Sequence, residues 1–357
     1  MSRARVLVVD DSAFMRRQLV RMLESDPAIE VVGTARHGAE ALERVAELSP
    51  DVVTLDINMP VMDGLTALAH LMETSPLPVV MISSLTQEGA GTAVEALTLG
   101  AVDCVGKPSG TVSLDIEQQA QEIREKVRAA ARCTSTRLRA RASRRVLSGA
   151  ARTRIATARQ VATVEGAVAI GVSTGGPQTL LEILPMLPED LPVPVLIVQH
   201  MPPNFTASLA RRLDEACALR VREAAHQERL EAGTVYVAPG GTHLHLARSA
   251  LRRGLVAQLR PEPAEHQFRP SVDVLFGSVA EVCGATAIGV LLTGMGDDGA
   301  DGMVALAHAG AHTIAESEES AIVFGMPREA IERGGAREVV PARRVAASIV
   351  HSLSHRR

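Results

Sequence analysis

The feature of this sequence that most constrains its fold is a repeated alternation of short apolar runs with amphipathic segments. The apolar runs lie at 6–9, 29–32, 52–55, 78–82 and 102–105, and the amphipathic segments lie at 14–25, 38–48, 64–73, 88–98 and 115–131. Five strands that alternate with five helices predict an α/β unit, a doubly wound five-stranded parallel sheet. In such a sheet, the carboxyl ends of the strands form the functional edge.

Charged and hydroxyl side chains follow four of these five predicted strands. Asp10 and Asp11 end the first strand, Asp56 ends the third, Ser83 follows the fourth and Lys107 follows the fifth. Clustered carboxylates repel one another unless a cation neutralises them, and carboxylate oxygens suit Mg²⁺. The edge is therefore predicted to hold Mg²⁺ beside a carboxylate that can accept a phosphoryl group, with Lys107 and Ser83 contacting the phosphoryl oxygens.

This pattern resembles the two-component response-regulator receiver. The matching residues are Asp10-Asp11, the run Asp56-Ile57-Asn58-Met59-Pro60-Val61-Met62-Asp63-Gly64, Ser83 and Lys107-Pro108. The resemblance implies a flavodoxin-like receiver domain over residues 1–131. It implies that Asp56 accepts a phosphoryl group from a histidine kinase, and that Asp10, Asp11, Asp56 and the backbone carbonyl of Asn58 bind Mg²⁺.

Two further expectations come with this resemblance. The peptide bond between Lys107 and Pro108 is expected to be cis. The position that is usually an aromatic switch residue in receivers is Cys104 here. We therefore expect the phosphorylation signal to travel mainly through the Ser83 loop and the neighbouring helix face.

The segment that follows the receiver is strongly basic. Between residues 126 and 164 there is no acidic residue, whereas Lys126 is accompanied by ten arginines. Because residues 132–163 have no sustained apolar face, this segment is expected to be a flexible linker. Such a run could also bind nucleic acid, but aromatic residues make up only 2% of the chain and no helix-turn-helix pattern follows. We therefore expect no nucleic-acid partner.

The α/β rhythm resumes at residue 166. Strands are predicted at 167–171, 194–199, 234–238, 242–246, 254–259 and 286–292, and helices at 177–187, 205–217, 271–283 and 298–309. This pattern predicts a second, Rossmann-like α/β domain over 164–357, with an antiparallel insertion around 218–260.

Three predicted strand ends in this domain carry chemically useful residues. Ser173 lies in the glycine-rich turn Gly171–Pro177, which by itself fits a nucleophile, an anion-binding loop or a plain strand-to-helix turn. His200 ends the next strand, and Asp297 and Asp298 follow a later one. If these strands are parallel neighbours, the serine, imidazole and carboxylate meet at one edge, which is the arrangement for acyl transfer.

The serine turn also satisfies the G-x-S-x-G pattern of lipase-type hydrolases. Those enzymes place the acid before the histidine in the chain. Here the order is Ser173, His200 and Asp298, which excludes that fold.

The second domain instead closely resembles the catalytic domain of the chemotaxis protein-glutamate methylesterases, the CheB family. The runs that carry the resemblance are 169–177, 199–206, 237–243, 269–276, 292–299 and 323–330. The resemblance implies that Ser173 is the nucleophile, His200 the base and Asp298 the orienting acid. It assigns the oxyanion contacts to the Met295 backbone N–H, with Thr174 and Gly175 beside it. Asp297 occupies a position where the family often has asparagine.

The two resemblances together imply a serine hydrolase that is activated by phosphorylation. It is expected to hydrolyse glutamate γ-methyl esters on methyl-accepting chemoreceptors, releasing methanol, and to deamidate receptor glutamines. A CheA-type histidine kinase is the expected phosphodonor, and Mg²⁺ is expected to serve the receiver only. The alternative is a receiver-controlled docking module without catalysis.

The sequence also sets expectations for location. No apolar run approaches the roughly 20 residues of a membrane helix, and the N-terminus lacks a signal-peptide pattern. We therefore expect a cytoplasmic monomer without membrane insertion.

Overall fold

The computed structural model of the chain describes residues 3–83, 87–107, 113–133, 165–249 and 254–355. The chain divides into two compact units, with the boundary between Gly149 and Ala150. The linker predicted at 132–163 lies outside the described residues except for its first two positions, and so does Pro108 with its predicted cis bond.

The first unit is a five-stranded parallel sheet with the strand order β2-β1-β3-β4-β5. Its strands are β1 (Ala4–Val9), β2 (Ile29–Ala35), β3 (Val52–Asp56), β4 (Val79–Ser83) and β5 (Asp103–Gly106). Its helices are α1 (Ala13–Glu24), α2 (Gly38–Leu48), α3 (Gly64–Thr74), α4 (Gln87–Leu99) and α5 (Ser113–Ala131). The predicted doubly wound sheet is therefore confirmed.

The central strands of this sheet are apolar on both faces because helices cover both. In β1, the residues from Val6 to Val9 are fully buried, and every residue of β3 is buried. Polar residues begin where β1 and β3 end, so Asp10 and Asp56 reach the carboxyl edge together. Helix α1 then starts at a side-chain cap, since the Ser12 hydroxyl accepts a hydrogen bond from Met15 N–H.

The second unit contains ten strands and six helices among the described residues. The strands are β6 (Val168–Val172), β7 (Val195–Gln199), β8 (Arg220–Glu223), β9 (Glu228–Arg229), β10 (Thr234–Val237), β11 (His243–Arg248), β12 (Leu255–Arg260), β13 (Ile288–Leu291), β14 (His312–Glu316) and β15 (Glu338–Val340). The helices are α6 (Gly176–Ile183), α7 (Phe205–Ala216), α8 (Val272–Cys283), α9 (Ala300–His308), α10 (Met326–Glu332) and α11 (Ala342–Ser354).

Seven of these strands form a parallel sheet with the order β15-β14-β13-β6-β7-β10-β8. Strand β6 therefore lies between its immediate successor β7 and the much later β13. This reversal of strand order beside β6 is a topological switch point, where open parallel sheets place their sites.

The remaining three strands confirm the predicted antiparallel element, but this element covers a smaller part of the chain than predicted. They form a separate sheet in the order β11-β12-β9. The predicted antiparallel insertion around 218–260 is wrong for β8 and β10, which pair parallel to each other within the main sheet. Strand β10 pairs parallel to β7, on the side of β7 away from β6, and β8 pairs parallel to β10. Both strands therefore run in the same direction as the rest of the main sheet.

No helix among the described residues is long and apolar enough to cross a membrane.

Candidate active site

The three residues predicted for acyl transfer meet at one edge of the seven-stranded sheet. Ser173 directly follows β6, His200 directly follows β7, and Asp298 lies in the loop between β13 and α9. His200 Nδ1 is 3.1 Å from Ser173 Oγ, and His200 Nε2 is 2.7 Å from Asp298 Oδ2. Because β13, β6 and β7 are adjacent, the sheet brings together residues that are 98 positions apart in the chain.

The orientation of the His200 ring follows from these contacts. A carboxylate can only accept, so Nε2 carries the hydrogen toward Asp298, and in the neutral ring Nδ1 accepts from the Ser173 hydroxyl. This is the reverse of the chymotrypsin arrangement, in which Nε2 faces the serine. The Phe268 ring stacks on the imidazole, with centroids 4.1 Å apart and planes 9° from parallel, and limits rotation of the imidazole.

Asp298 is buried and is bonded on both oxygens. Oδ2 also accepts from Val272 N–H at 2.7 Å, and Oδ1 accepts from the Ser271 hydroxyl at 2.8 Å and from Asp273 N–H at 3.1 Å. Burial opposes ionisation of this group. The His200 contact and the N–H groups at the start of α8 outweigh it and hold the pKa of Asp298 well below its usual range. The group facing His200 is thus a carboxylate.

The neighbouring carboxylate, Asp297, has a different environment. Its side chain is 64% exposed, and its Oδ2 lies 2.7 Å from Arg333 Nη2. Arg333 also contacts Asp301, at 2.7 Å. The structure therefore places Asp298, and not Asp297, against His200.

The turn that carries Ser173 is fixed by a side chain at the end of β7. Gln199, which is buried, donates from Nε2 to the Ser173 carbonyl at 2.9 Å and to the His200 carbonyl at 3.2 Å. Gly175 has a φ of 78°, which favours glycine, and a Cβ at Gly176 would lie 2.0 Å from Gln199 Oε1. Gln199 thus ties the serine turn to the histidine strand end, and glycine is required next to it.

The loop after β13 lies directly against the serine turn. Ser173 N–H donates to the Thr293 carbonyl at 3.0 Å, and the Thr293 hydroxyl donates to the Thr174 carbonyl at 2.9 Å. Thr293 N–H in turn donates to Oε2 of the fully buried Glu316 at 2.8 Å. Met295, the predicted oxyanion donor, is half-buried two residues further along this loop. The loop that carries Met295 is therefore anchored to the turn that carries Thr174 and Gly175.

Sequence reasoning missed several of these supporting residues. Glu316 could have been noticed as a carboxylate ending the otherwise apolar run Ile314-Ala315. Ser271 could have been noticed as a helix cap, because serine directly precedes an apolar run there. Phe268 and Gln199 had no local signal, since their roles depend on residues brought in by other strands.

The first unit holds the predicted acidic cluster. Carboxylate oxygens of Asp10, Asp11 and Asp56 lie within 4.8 Å of one another. Lys107 Nζ is 2.7 Å from Asp56 Oδ2 and 3.1 Å from Asp10 Oδ2. Burial raises the pKa of Asp56, although Lys107 opposes that effect. Three carboxylates with one ammonium leave negative charge at an all-oxygen site, which fits a hard divalent cation.

The other predicted receiver residues are Ser83, Asn58 and Cys104. Ser83 ends β4, is buried, and its hydroxyl donates to the Gly89 carbonyl at 3.3 Å. Asn58 is exposed two residues after Asp56. Cys104 is buried in β5, and burial raises the pKa of its thiol to about 12, so it remains a neutral apolar side chain at neutral pH.

A parallel five-stranded unit with an acidic edge and a seven-stranded α/β unit with a Ser–His–Asp arrangement together define a serine hydrolase linked to a receiver domain. Comparison with known families agrees with this class. The receiver domain of response regulators matches residues 6–117, and CheB methylesterase matches residues 168–349. The chain therefore belongs to the CheB methylesterase family, in the form that carries a receiver domain.

Relatives match over nearly the whole chain. A protein-glutamate methylesterase/protein-glutamine glutaminase of Caldanaerobacter subterraneus subsp. tengcongensis is 54% identical, covering 96% of this chain and 94% of its own length. Its counterpart in Pyrococcus horikoshii is 44% identical, covering 98% and 93%. The crystal structure of the Thermotoga maritima CheB methylesterase catalytic domain is 42% identical with a TM-score of 0.50, covering 52% of this chain and 97% of that domain. These matches do not favour a non-catalytic docking module.

Proposed function

We propose that this protein hydrolyses glutamate γ-methyl esters on methyl-accepting chemoreceptors in the cytoplasm and deamidates glutamines on the same receptors. A CheA-type histidine kinase supplies the phosphoryl group that activates it. The observation that carries the hydrolytic part is the Ser173–His200–Asp298 contact chain, with distances of 3.1 and 2.7 Å, at the switch point of the sheet. Full-length similarity to protein-glutamate methylesterases supports the choice of substrate.

In the proposed reaction, Ser173 Oγ attacks the ester carbonyl carbon while its proton moves to His200 Nδ1. The resulting imidazolium is stabilised by the adjacent Asp298 carboxylate. The tetrahedral intermediate collapses, the bond to the methoxy oxygen breaks, and His200 returns the proton so that methanol leaves. Water then attacks the acyl-serine with His200 as base, which releases the glutamate carboxylate and restores Ser173. With a glutamine substrate, the leaving group is ammonia.

The negative charge of the tetrahedral intermediate needs donors near Ser173. We assign this role to the Met295 N–H, with Thr174 and Gly175 beside it. The anchoring of both loops through Thr293 supports this assignment, because preorganised donors need no rearrangement when the charge develops.

In the receiver, Asp56 accepts the phosphoryl group. Asp10, Asp11, Asp56 and the Asn58 carbonyl would hold Mg²⁺, which would neutralise charge on the phosphoryl oxygens during transfer. Lys107, already 2.7 Å from Asp56, pairs with a phosphoryl oxygen, and Ser83 hydrogen-bonds another. Exchange of the Ser83 contact with Gly89 for one with the phosphoryl group would shift α4, which gives the signal a path that does not use Cys104.

The first test is Ser173→Ala. The variant should fold normally by circular dichroism and release no methanol from methylated receptor, because the attacking oxygen is gone. Methanol release at the wild-type rate would reject Ser173 as nucleophile. Labelling of the wild type, but not of the variant, by a fluorophosphonate probe separates catalysis from mere receptor binding.

A further inference from the structure

Helices α8 and α9 exchange carboxylates at their first turns. Asp298, which precedes α9, accepts hydrogen bonds from Val272 and Asp273 N–H at the start of α8. Asp273, at the start of α8, accepts from Gly302 N–H at the start of α9, at 2.7 Å. Each helix thus has first-turn N–H groups that donate to a carboxylate of the other helix or its leading loop, which also places negative charge at the positive end of the helix dipole.

The first turns of α8 and α9 are in direct contact, so neither helix start can move without the other. A Cβ at Gly302 would lie 2.6 Å from Phe276 Cβ and 3.1 Å from Asp273 Oδ1. At Gly299, where φ is 93°, a Cβ would lie 2.5 Å from Val272 Cγ1. Glycine at both positions lets α9 approach α8 closely enough for Asp273 to reach Gly302.

Only one of the two exchanged carboxylates faces the reacting residues. Asp298 contacts His200, whereas the Asp273 side chain accepts its hydrogen bond from the start of α9. Asp273 therefore fixes the segment that carries Asp298 without touching Ser173 or His200.

We infer that Asp273 is a positioning residue for ester hydrolysis: by capping α9 it holds Asp298 at the distance and angle that orient the His200 ring. This inference rests on the proposed function, because it concerns the same hydrolytic site. In this arrangement a second carboxylate, Asp273 on the neighbouring helix, fixes the position of Asp298, the acid of the triad.

The raised pKa of Asp273 makes its contribution to stability depend on pH. Burial, and to a lesser degree the charge of Asp298, raise the pKa of Asp273 to about 6, although backbone N–H groups oppose this. A carboxyl group whose folded-state pKa is raised from 3.8 loses stabilisation as pH rises toward that value. Removal of Asp273 also takes the acceptor away from Gly302 N–H, so the melting temperature of each variant has to be measured beside its kcat.

The test compares full-length Asp273→Ala and Asp273→Asn with the matched control Asp301→Asn. Asp301 carries the same charge in the first turn of α9, the helix that Asp273 caps, but its side chain is 77% exposed and contacts Arg333. We expect Asp273→Ala to lower kcat for methanol release by about tenfold with KM within about twofold. Asp273→Asn, which keeps one acceptor oxygen, should fall between Ala and wild type, and Asp301→Asn should match wild type.

A readout that needs no substrate separates the possible outcomes. The hydrogen between His200 Nε2 and Asp298 should give a downfield proton resonance in the wild type and in Asp301→Asn, and this resonance should shift or broaden in Asp273→Ala. A wild-type kcat and an unchanged resonance in Asp273→Ala would overturn the inference. So would a kcat loss that only follows a fall in melting temperature; if the Ala variant fails to fold, the same criteria apply to Asp273→Asn. Failure of the proposed function would show differently, as methanol release that survives Ser173→Ala.

Discussion

At the scale of single residues, the hydrogen bonds that lead from His243 through Ser271 to Asp298 have directions set by the chemistry of their donors and acceptors. The buried His243 accepts from Ser271 N–H on Nδ1 at 3.2 Å, so its Nε2–H donates to the Pro263 carbonyl at 3.1 Å. Burial lowers the pKa of His243 and keeps it neutral at neutral pH. The Ser271 hydroxyl donates to Oδ1 of Asp298, because an ionised carboxylate can only accept. Oδ2 of Asp298 accepts from His200 Nε2–H and so fixes the tautomer of His200.

The different environments of the two adjacent carboxylates give a sharp prediction. Asp298→Asn should lower kcat for methanol release by roughly three to four orders of magnitude, because the amide cannot stabilise the imidazolium or hold the same tautomer. Asp297→Asn should stay within about twofold of wild type, because an exposed ion pair with Arg333 contributes little. Steady-state assays on methylated receptor would compare them, and an equal loss in both variants would contradict the assignment.

The Asp298→Asn substitution should also change how the stability of the fold depends on pH. The pKa of Asp298 is lowered from 3.8 in the folded state, so its carboxylate stabilises the fold above about pH 4 and loses this effect as pH falls further. The melting-temperature gap between wild type and Asp298→Asn should therefore be widest at neutral pH and narrow in acid.

At the scale of elements, the close contact between the serine turn and the end of β7 is as demanding as the reactive residues themselves. Gly176→Ala places a Cβ where Gln199 Oε1 lies, and Gln199 is held by two hydrogen bonds and cannot move freely. We expect a loss of about 1–3 kcal/mol in unfolding free energy and a fall in kcat.

A glycine in α8 provides the control. A Cβ at Gly277 would meet no heavy atom within 4 Å, so Gly277→Ala should gain up to about 1 kcal/mol from helix propensity and keep full activity. Urea unfolding and methanol release would be measured on both variants. Similar behaviour of the two alanines would show that the Gly176 contact is not important.

The elements that the sequence predicts best are those whose patterns are local. Long apolar runs such as β6, β7 and β13 are readily recognised, because both faces of a parallel strand are buried. Strand β8 (Arg220–Glu223) is largely charged and β15 (Glu338–Val340) has three residues, so neither has a clear pattern. Helices α10 and α11 were also not predicted.

The candidate site divides in the same way. Ser173, His200 and Asp298 stand at strand ends or glycine-rich turns and could be selected from the sequence. The ring orientation of His200 and the attachment of Asp298 to α8 could not, because they depend on segments 25 to 98 residues away packing together.

At the scale of the whole molecule, the acidic cluster and the Ser–His–Asp arrangement belong to different compact units. Loss of the phosphoacceptor should therefore remove control without removing chemistry. Asp56→Asn should keep basal methanol release and show no activation by a small phosphodonor. Removal of divalent cations from the wild type with a chelator should have the same two effects, because the proposed hydrolytic steps use only side-chain and backbone groups of the second unit.

Methanol release with and without phosphodonor checks both expectations. The matched control is Asp51→Asn, since Asp51 is an exposed carboxylate at the opposite end of β3. The phosphodonor should activate this variant to the same degree as the wild type. Full activation of Asp56→Asn would reject Asp56 as the control point, and loss of basal activity on chelation would assign a metal to hydrolysis.

The placement of β13 beside β6 has a consequence for the order in which the protein acquires its activity during synthesis. Chains emerge from the ribosome N-terminus first, and domains generally fold as units. Ser173 and His200 emerge 98 to 125 residues before Asp298, and β6 has no partner on one side until β13 is made. The receiver unit precedes all of them. We therefore expect a nascent chain to be able to accept a phosphoryl group before it can cleave an ester, so the enzyme is under control from its first turnover.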